Sequence, residues 1–451
     1  MGDTRIPKQL ARLSTHVSKP KAESAPSASG PVTSRAGSAA SSSFTASPPR
    51  SGAADDASLA GVDATSAQAK LTAISRLMSG PTSAGEEKQI LDLLRAAPKG
   101  ELNYLVSKLD THELMEDVDN HLFGPKNRDA LVSLLCTERA GDLSVGAKVS
   151  LINGMQQGRT EGFEEKAVRD LFLSTKGADL TALKNGIDAG GDFHDLQQLV
   201  FSDIDDAGVR QQILDHIQRE ASPAGAVKVL SDIDDTLYEN LKDSRYPKKT
   251  VYPGVVEFYK ELENGRTGNL TFVTARPGDP AGLIEGLTEK TLKGKGVPEA
   301  TILTGNLISN LSNNAIADEK FKNFTQYQQL FPEYGYVFTG DSGQGDAIFG
   351  AKMREAAPSA VKAVFINDVV NTPQDKRDQA RAKGVFFNDT YVGAAVEAFK
   401  LGLISRDGLQ RVASAASDAM AKIPFEDPAQ QKARQAELDR DLDAAKRALA
   451  P

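Results

Sequence analysis

Long apolar runs are missing from this chain: no stretch approaches the roughly 18 residues that a membrane-spanning helix needs. The opening M-G-D-T-R-I-P-K has no apolar segment of the kind a secretion signal carries, and Ile6 stands where N-myristoylation requires Ser or Thr. An excess of basic residues is missing too. The formal net charge is -8 and the pI about 5.4, which argues against nucleic acid as a main partner, because binding phosphate backbones takes a basic face. The single cysteine, Cys136, excludes an internal disulfide and a cysteine-built zinc site, and it fits a reducing compartment or a simple absence of cross-links. Histidine is scarce, and its distribution matters: His16, His112, His121, His194 and His216 all precede residue 217.

What remains is ample for folding. At 451 residues with 40% apolar side chains, the chain is long enough for two or more domains. Residues 1–60 are rich in Ser, Ala, Pro and Thr and read as a disordered tail, since such a segment cannot bury enough surface to offset its ordering entropy. The tail is basic, with seven Lys or Arg in residues 1–50 against Asp3 and Glu23, which leaves open contact with an anionic membrane surface or a delivery role. Residues 61–221 read as an all-α domain of two repeats. The run E-E-K-Q-I-L-D-L-L from Glu86 returns as E-E-K-A-V-R-D-L-F from Glu164, an offset of 78 residues. The same offset pairs Leu102 with Leu180, Leu105 with Leu183, Asp110 with Asp188, Phe123 with Phe201 and Leu131 with Val209. No catalytic set assembles there, so an all-α interaction or regulatory domain is expected, with the repeats open to a protein partner.

From residue 222 to about 410 the texture alternates between strand and helix. Apolar runs at 226–230, 270–274, 301–304, 336–340, 364–367 and 384–388 read as strands, with helices expected around 255–262, from Pro280, at 318–331 and from Asp346. This order predicts right-handed crossovers and a doubly wound parallel sheet, with ligands beyond the carboxyl ends of its strands. Residues 411–451 read as a C-terminal helical tail, its last stretch an exposed charged helix.

The stretch S-D-I-D-D-T-L from Ser231 to Leu237 follows the first of these strands and crowds Asp232, Asp234 and Asp235 at its end. Carboxylates that close stay ionised only beside a cation or a positive side chain. An Asp-rich helix N-cap is the plain alternative for such a run. At the other strand ends stand Thr274, then Asp341 and Asp346, with Lys320 in the helix before them. Carboxylates, one hydroxyl and one lysine at one sheet edge suit a divalent cation plus a phosphate. With neither histidine nor cysteine after residue 216, G-D-S-G at 340–343 lacks a base for a serine nucleophile. A P-loop fails because Gly350 is followed by Ala351, Lys352 and Met353. The second S-D-I-D-D, at 202–206, aligns by the 78-residue offset with a turn between helices, and its Asp residues are expected to cap a helix over 208–220.

Taken together, D-I-D-D-T at 232–236, Thr274, Lys320 and G-D-S-G-Q-G-D at 340–346 resemble the four motifs of the haloacid-dehalogenase-like phosphohydrolases. Y-P-G-V-V-E-F-Y at 252–259, the spacing from Lys320 to L-F-P at 330–332 and G-L-I at 402–404 narrow the likeness to the catalytic domain of the actin-patch type phosphatidate phosphatases, over about residues 226–405. F-I-N-D-V at 365–369 departs from that pattern, which more usually carries an arginine before the Asp. The resemblance implies a magnesium-dependent phosphatidate phosphatase working through an aspartyl-phosphate. Asp232 would be the nucleophile and Asp234 the acid and base; Thr274 and Lys320 would hold phosphate oxygens beside Asp235 and Thr236. Mg2+ would be held by Asp232, the main-chain carbonyl of Asp234 and Asp341, with Asp346 ordering its surroundings. The short connection from Leu237 to Asn269 leaves no room for a sizeable cap, so an open site facing a phospholipid at a membrane surface is expected of a cytoplasmic, peripherally bound protein. Lys242, Arg245, Lys248 and Lys249 in that connection would meet an anionic surface or form a plain solvated loop. Two other readings stay open: a phosphatase of a soluble or protein-borne phosphomonoester, and a non-catalytic phosphatidate-sensing module of the same fold.

Overall fold

Six short runs rich in β-branched and aromatic residues form one parallel sheet: β1 (Val227–Ser231), β2 (Leu270–Pro277), β3 (Thr301–Gly305), β4 (Gly335–Asp341), β5 (Val361–Asn367) and β6 (Val385–Asn388). Their order across the sheet is β3-β2-β1-β4-β5-β6, so the direction of winding reverses between β1 and β4. These are the strands expected from the sequence. The computed structural model describes residues 63–118, 125–157, 162–189, 195–264, 270–277, 294–297, 301–305 and 312–450. The expected tail at 1–60, the helix expected from Pro280 and the Phe123 member of one repeat pair lie outside the described residues.

Strand side chains alternate between two cores, as period-two geometry demands. Val229, Phe272, Val337 and Phe365 face a layer made by the helices Val255–Glu263 and Tyr391–Lys400. Leu230, Val273, Phe338 and Val364 face the helices Asn313–Leu330 and Asp346–Ala356, and this second core runs on without a break into the helices of residues 64–220. Two further helices, Arg406–Met420 and Pro428–Ala448, pack over the first layer and bury Leu409, Val412, Ala416, Met420, Leu438 and Ala445. The final charged helix therefore has one face seated on the protein.

In the all-α region, helices begin at Ala84 and Gly162 and again at Lys99 and Gly177, each pair 78 residues apart, so the sequence offset reappears in the element boundaries. Asp206 caps the helix Ala207–Glu220: its carboxylate accepts from the amides of Gly208 and Val209 at 2.7 and 3.1 Å. The helix Gly177–Asp188 ties this region to the amino edge of the sheet. Lys184 Nζ donates to Glu333 and to the Leu330 carbonyl, both at 2.8 Å. Asp188 accepts from Tyr327 Oη at 2.6 Å and from Lys228 Nζ at 3.4 Å, and Lys228 also lies 4.1 Å above the ring of Phe331. All these groups are buried.

Removing one partner of a buried ion pair strands the other in a dry site. Glu333→Ala should lower the free energy of unfolding by about 3–5 kcal/mol in a urea titration, and Lys184→Met combined with Glu333→Leu should restore most of it. A loss under about 1 kcal/mol for the single variant would mean the pair behaves like an exposed one.

Candidate active site

Parallel pairing of β1 with β4 puts Ser231 in register with Thr339, and the ladder runs one step further where Asp232 N donates to the Thr339 carbonyl at 2.9 Å. Asp232 and Asp341 therefore leave the sheet at the same edge, where the winding reverses and the helices diverge to open a crevice. Lys320, from the helix Asn313–Leu330, reaches across it. Its Nζ lies 2.6 Å from Asp232 Oδ1 and 2.6 Å from Asp346 Oδ1. Asp346 opens the next helix, and its Oδ2 accepts from Asp341 N at 3.2 Å. Asp341 in turn accepts from Gly343 N at 2.6 Å. Asp232, Asp341 and Asp346 each present one carboxylate oxygen within 4.8 Å of the others, and all three are buried.

The glycines of G-D-S-G-Q-G-D have a steric reason to be there. A Cβ at Gly340 would sit 2.6 Å from Asp346 Oδ2, and one at Gly345 would sit 2.4 Å from the Asn313 carbonyl. Any side chain at either point would push Asp346, or the helix that carries Lys320, out of place.

Burial sets the electrostatics. It pushes the Asp232 carboxyl up to about 7 despite Lys320, with Asp346 and Asp234 adding repulsion. Asp341 is likewise pushed well above the carboxylate range by burial and by Asp346 and Asp232. Burial works against charge on Lys320, but Asp232 and Asp346 outweigh it and hold the ammonium above its ordinary range. Asp232 Oδ2 is buried and has no hydrogen-bond partner among the described residues. An orphaned carboxylate oxygen beside two more carboxylates is the donor set of a hard cation, so the cluster fits a divalent metal.

The other expected residues fall around this centre. Thr274 is buried on β2, two residues beyond Phe272, the partner of Ser231. Asp234 accepts a hydrogen bond from the Asn240 side chain. Asp235, in the left-handed region at φ 56°, turns its carboxylate to the main chain of the following loop, accepting from the amides of Asn240, Leu241 and Lys242. Its visible work is to shape the loop. Thr236 Oγ1 is buried without a partner among the described residues, while its carbonyl accepts from Tyr391 Oη at 2.6 Å. Ser342 is committed elsewhere: its hydroxyl donates to Asp368 at 2.8 Å and accepts from Val369 N at 2.9 Å.

Sequence reading did not find three supports. Asn240 holds Asp234, Tyr391 holds the turn at Thr236, and Asn367 donates to the Asp235 carbonyl at 2.9 Å. Asn367 had left a signal, as the residue in F-I-N-D-V that departs from the expected arginine. Its amide braces the turn that carries the first motif.

A parallel α/β domain with a buried acidic triad and a lysine at its carboxyl edge, where the winding reverses, has the arrangement of a phosphoester-hydrolase active site. Residues 227–368 match the family model described as phosphatidate phosphatase APP1, catalytic domain, which with the acidic cluster assigns this part of the chain to a phosphatase type of catalytic domain. The match stops short of the all-α region. No curated protein and no solved structure matches the chain.

A carboxyl pKa raised by folding means that the folded protein holds more protons than the unfolded chain between about pH 4 and the value near 7. That stabilisation is present below the unfolded value and is lost as pH rises through 7. In a chelator, the melting temperature should therefore fall from pH 5 to pH 8 more steeply than in Asp232→Asn. Magnesium should raise it again at pH 8, and less so in Asp341→Asn. A wild-type melting temperature at pH 8 that ignores magnesium would count against a cation at this cluster.

Proposed function

We propose that the chain is a magnesium-dependent phosphatidate phosphatase that releases phosphate through an aspartyl-phosphate on Asp232. The observation that carries this reading is the Lys320 ammonium, 2.6 Å from both Asp232 and Asp346 and brought by a helix between the two acidic motifs. Asp232 attacks phosphorus; an oxygen–phosphorus bond forms to its carboxylate as the bond to the glycerol oxygen breaks. Asp234, steadied by Asn240, gives that oxygen its proton and diacylglycerol leaves. Water then attacks phosphorus, Asp234 takes its proton, and the Asp232 carboxylate is restored with release of phosphate. Lys320, Thr274 and the Thr236 hydroxyl, which has no partner among the described residues, hold the non-bridging oxygens, where charge gathers in the transition state. Asp235 supports this set by fixing the loop. Asp232, Asp341, the main-chain carbonyl of Asp234 and Asp346 would hold Mg2+, which when bound offsets the repulsion between Asp232 and the phosphate.

Two features favour a lipid. The matched family takes phosphatidate by its description, and described residues 238–264, between β1 and β2, comprise a loop and one helix with no inserted domain over the site. A first connection without an inserted domain suits a phosphate displayed on a bilayer. A protein of this kind works in the cytoplasm, peripherally at membranes; no helix among the described residues is long and apolar enough to cross one. The alternatives are a soluble or protein-borne phosphomonoester, which keeps the chemistry, and a phosphatidate sensor, which abandons it. The buried acidic cluster with its lysine counts against the sensor.

With magnesium, the full chain should release phosphate from phosphatidate in detergent micelles faster than from sugar phosphates or phosphoinositides at matched concentration. Asp232→Asn should retain less than about 1% of that rate, since it removes the covalent nucleophile. Lys320→Ala should cut kcat by about a hundredfold or more, with an unchanged circular dichroism spectrum. Equal turnover of water-soluble esters would favour the second substrate class, and an active Asp232→Asn protein would falsify the nucleophile.

A further inference from the structure

Among the described residues three large apolar side chains stand exposed: Leu241 at 55%, Val370 at 51% and Leu401 at 46%. A lone exposed leucine is ordinary, but two of these three border the candidate site and are fixed there. Leu241 N donates to Asp235 Oδ1 at 3.0 Å, within the clamp that the first motif places on its loop. Val370 N donates to Ser342 Oγ at 3.3 Å and to Asp368 Oδ1 at 3.4 Å, so its loop hangs on the residue after Asp341. The two loops meet over Gly343, where a Cβ would lie 3.0 Å from Lys242 Cβ and 3.1 Å from Val369 Cγ2. Main chain held this way keeps both side chains turned to solvent.

Cations flank the pair on the Leu241 side. Lys242, Lys248 and Lys249 are exposed on the Leu241 loop. Lys249 and Lys295 place their ammonium groups 5.2 and 4.1 Å from the centroid of the Tyr238 ring, and Lys295 donates to the Lys249 carbonyl at 3.0 Å. Two like charges gathered on one ring repel unless an anion joins them. Glu239 accepts from Lys248 Nζ at 2.5 Å and from Lys249 N at 2.9 Å, while the Lys249 ammonium donates to Asn240 Oδ1, a neutral amide that leaves its charge uncompensated. Arg245 has no part in this rim, because Asp243 holds its guanidinium with two bonds of 2.9 Å.

We propose that Leu241 and Val370, with Lys242, Lys248, Lys249 and Lys295 on the Leu241 side, form the surface on which this protein seats on an anionic phospholipid bilayer. The two apolar side chains enter the headgroup boundary and the lysines meet lipid phosphates, so the crevice opens toward the membrane. The inference deepens the lipid reading of the site and rests on it for its purpose.

Co-sedimentation of the full chain with vesicles of phosphatidylcholine, with and without phosphatidylserine, tests the surface apart from the reaction, because neither lipid carries a phosphomonoester. The wild type should bind the anionic vesicles, and added salt should weaken binding. Leu241→Ser with Val370→Ser should weaken it by about tenfold or more, the loss expected when two apolar side chains leave a lipid contact. Lys242→Ser with Lys295→Ser should erase the preference for phosphatidylserine. Leu401→Ser is the control: Leu401 follows the helix Tyr391–Lys400, which runs from the carboxyl edge of the sheet back to the other edge, and its loss should change nothing. All variants should melt like the wild type. No binding by the wild type, undiminished binding by the double serine variant, or an equal loss in Leu401→Ser overturns the proposal. Vesicle binding through Leu241 and Val370 without phosphate release from phosphatidate overturns the substrate reading and leaves this one standing.

Discussion

The site depends on one ammonium held between two buried carboxylates. Three acids, Asp232, Asp341 and Asp346, meet where water is largely excluded, and Lys320 neutralises only one of their charges. Two negative charges are left over, which one divalent cation would balance, and the oxygen without a partner among the described residues belongs to Asp232. Without a cation the surplus is relieved by protonation, the direction in which burial moves both Asp232 and Asp341. Cation binding and carboxyl protonation are thus competing answers to one electrostatic problem.

The sheet makes that crowding affordable by fixing the groups before they meet. Asp232 and Asp341 extend neighbouring strands whose register is set by backbone pairing, so their separation does not depend on loop conformation. Asp346 and Lys320 come from helices on one face of the sheet, and the bare Cα atoms of Gly340 and Gly345 let those helices approach. Each acidic side chain also answers to a main-chain amide or to the lysine, so none is free to swing away.

Much of this was legible in the sequence because it is written locally. Four of the strands are short apolar runs ending in a polar or acidic residue, at Ser231, Asp341, Asn367 and Asn388, and the absence of histidine and cysteine after residue 216 confined the chemistry to carboxylates and lysine. The 78-residue offset likewise surfaced in the helix starts. What escaped depends on distance in sequence. Nothing near Lys184 announces Glu333, and nothing near Asn240 says that its amide serves Asp234 while its backbone serves Asp235. The role of Asp235 was obscured for the same reason, since an acid beside two site acids looks like a third until its left-handed backbone turns it toward the loop. The charged composition of the last helix suggested an exposed helix, and only its packing on the helix Tyr391–Lys400, with Leu438 and Ala445 buried, shows its inner face.

The position of the all-α region bears on how the site is reached. Its helix Gly177–Asp188 docks on Lys228, Tyr327 and Glu333, at the end of the sheet where β1 and β4 begin, whereas the acidic cluster sits where those strands finish. The region therefore shares a hydrophobic core with the phosphatase sheet without approaching the crevice through this contact. Buried charges at the junction make it a fixed part of the catalytic body, because separating the two would leave Lys228 and Glu333 in an apolar surface without their partners. Through this helix support is given where the strands begin and chemistry is done where they finish, while a second contact, Gln197 to Gln326 at 2.6 Å, reaches the helix that carries Lys320 and so ties the repeats to the position of the site lysine.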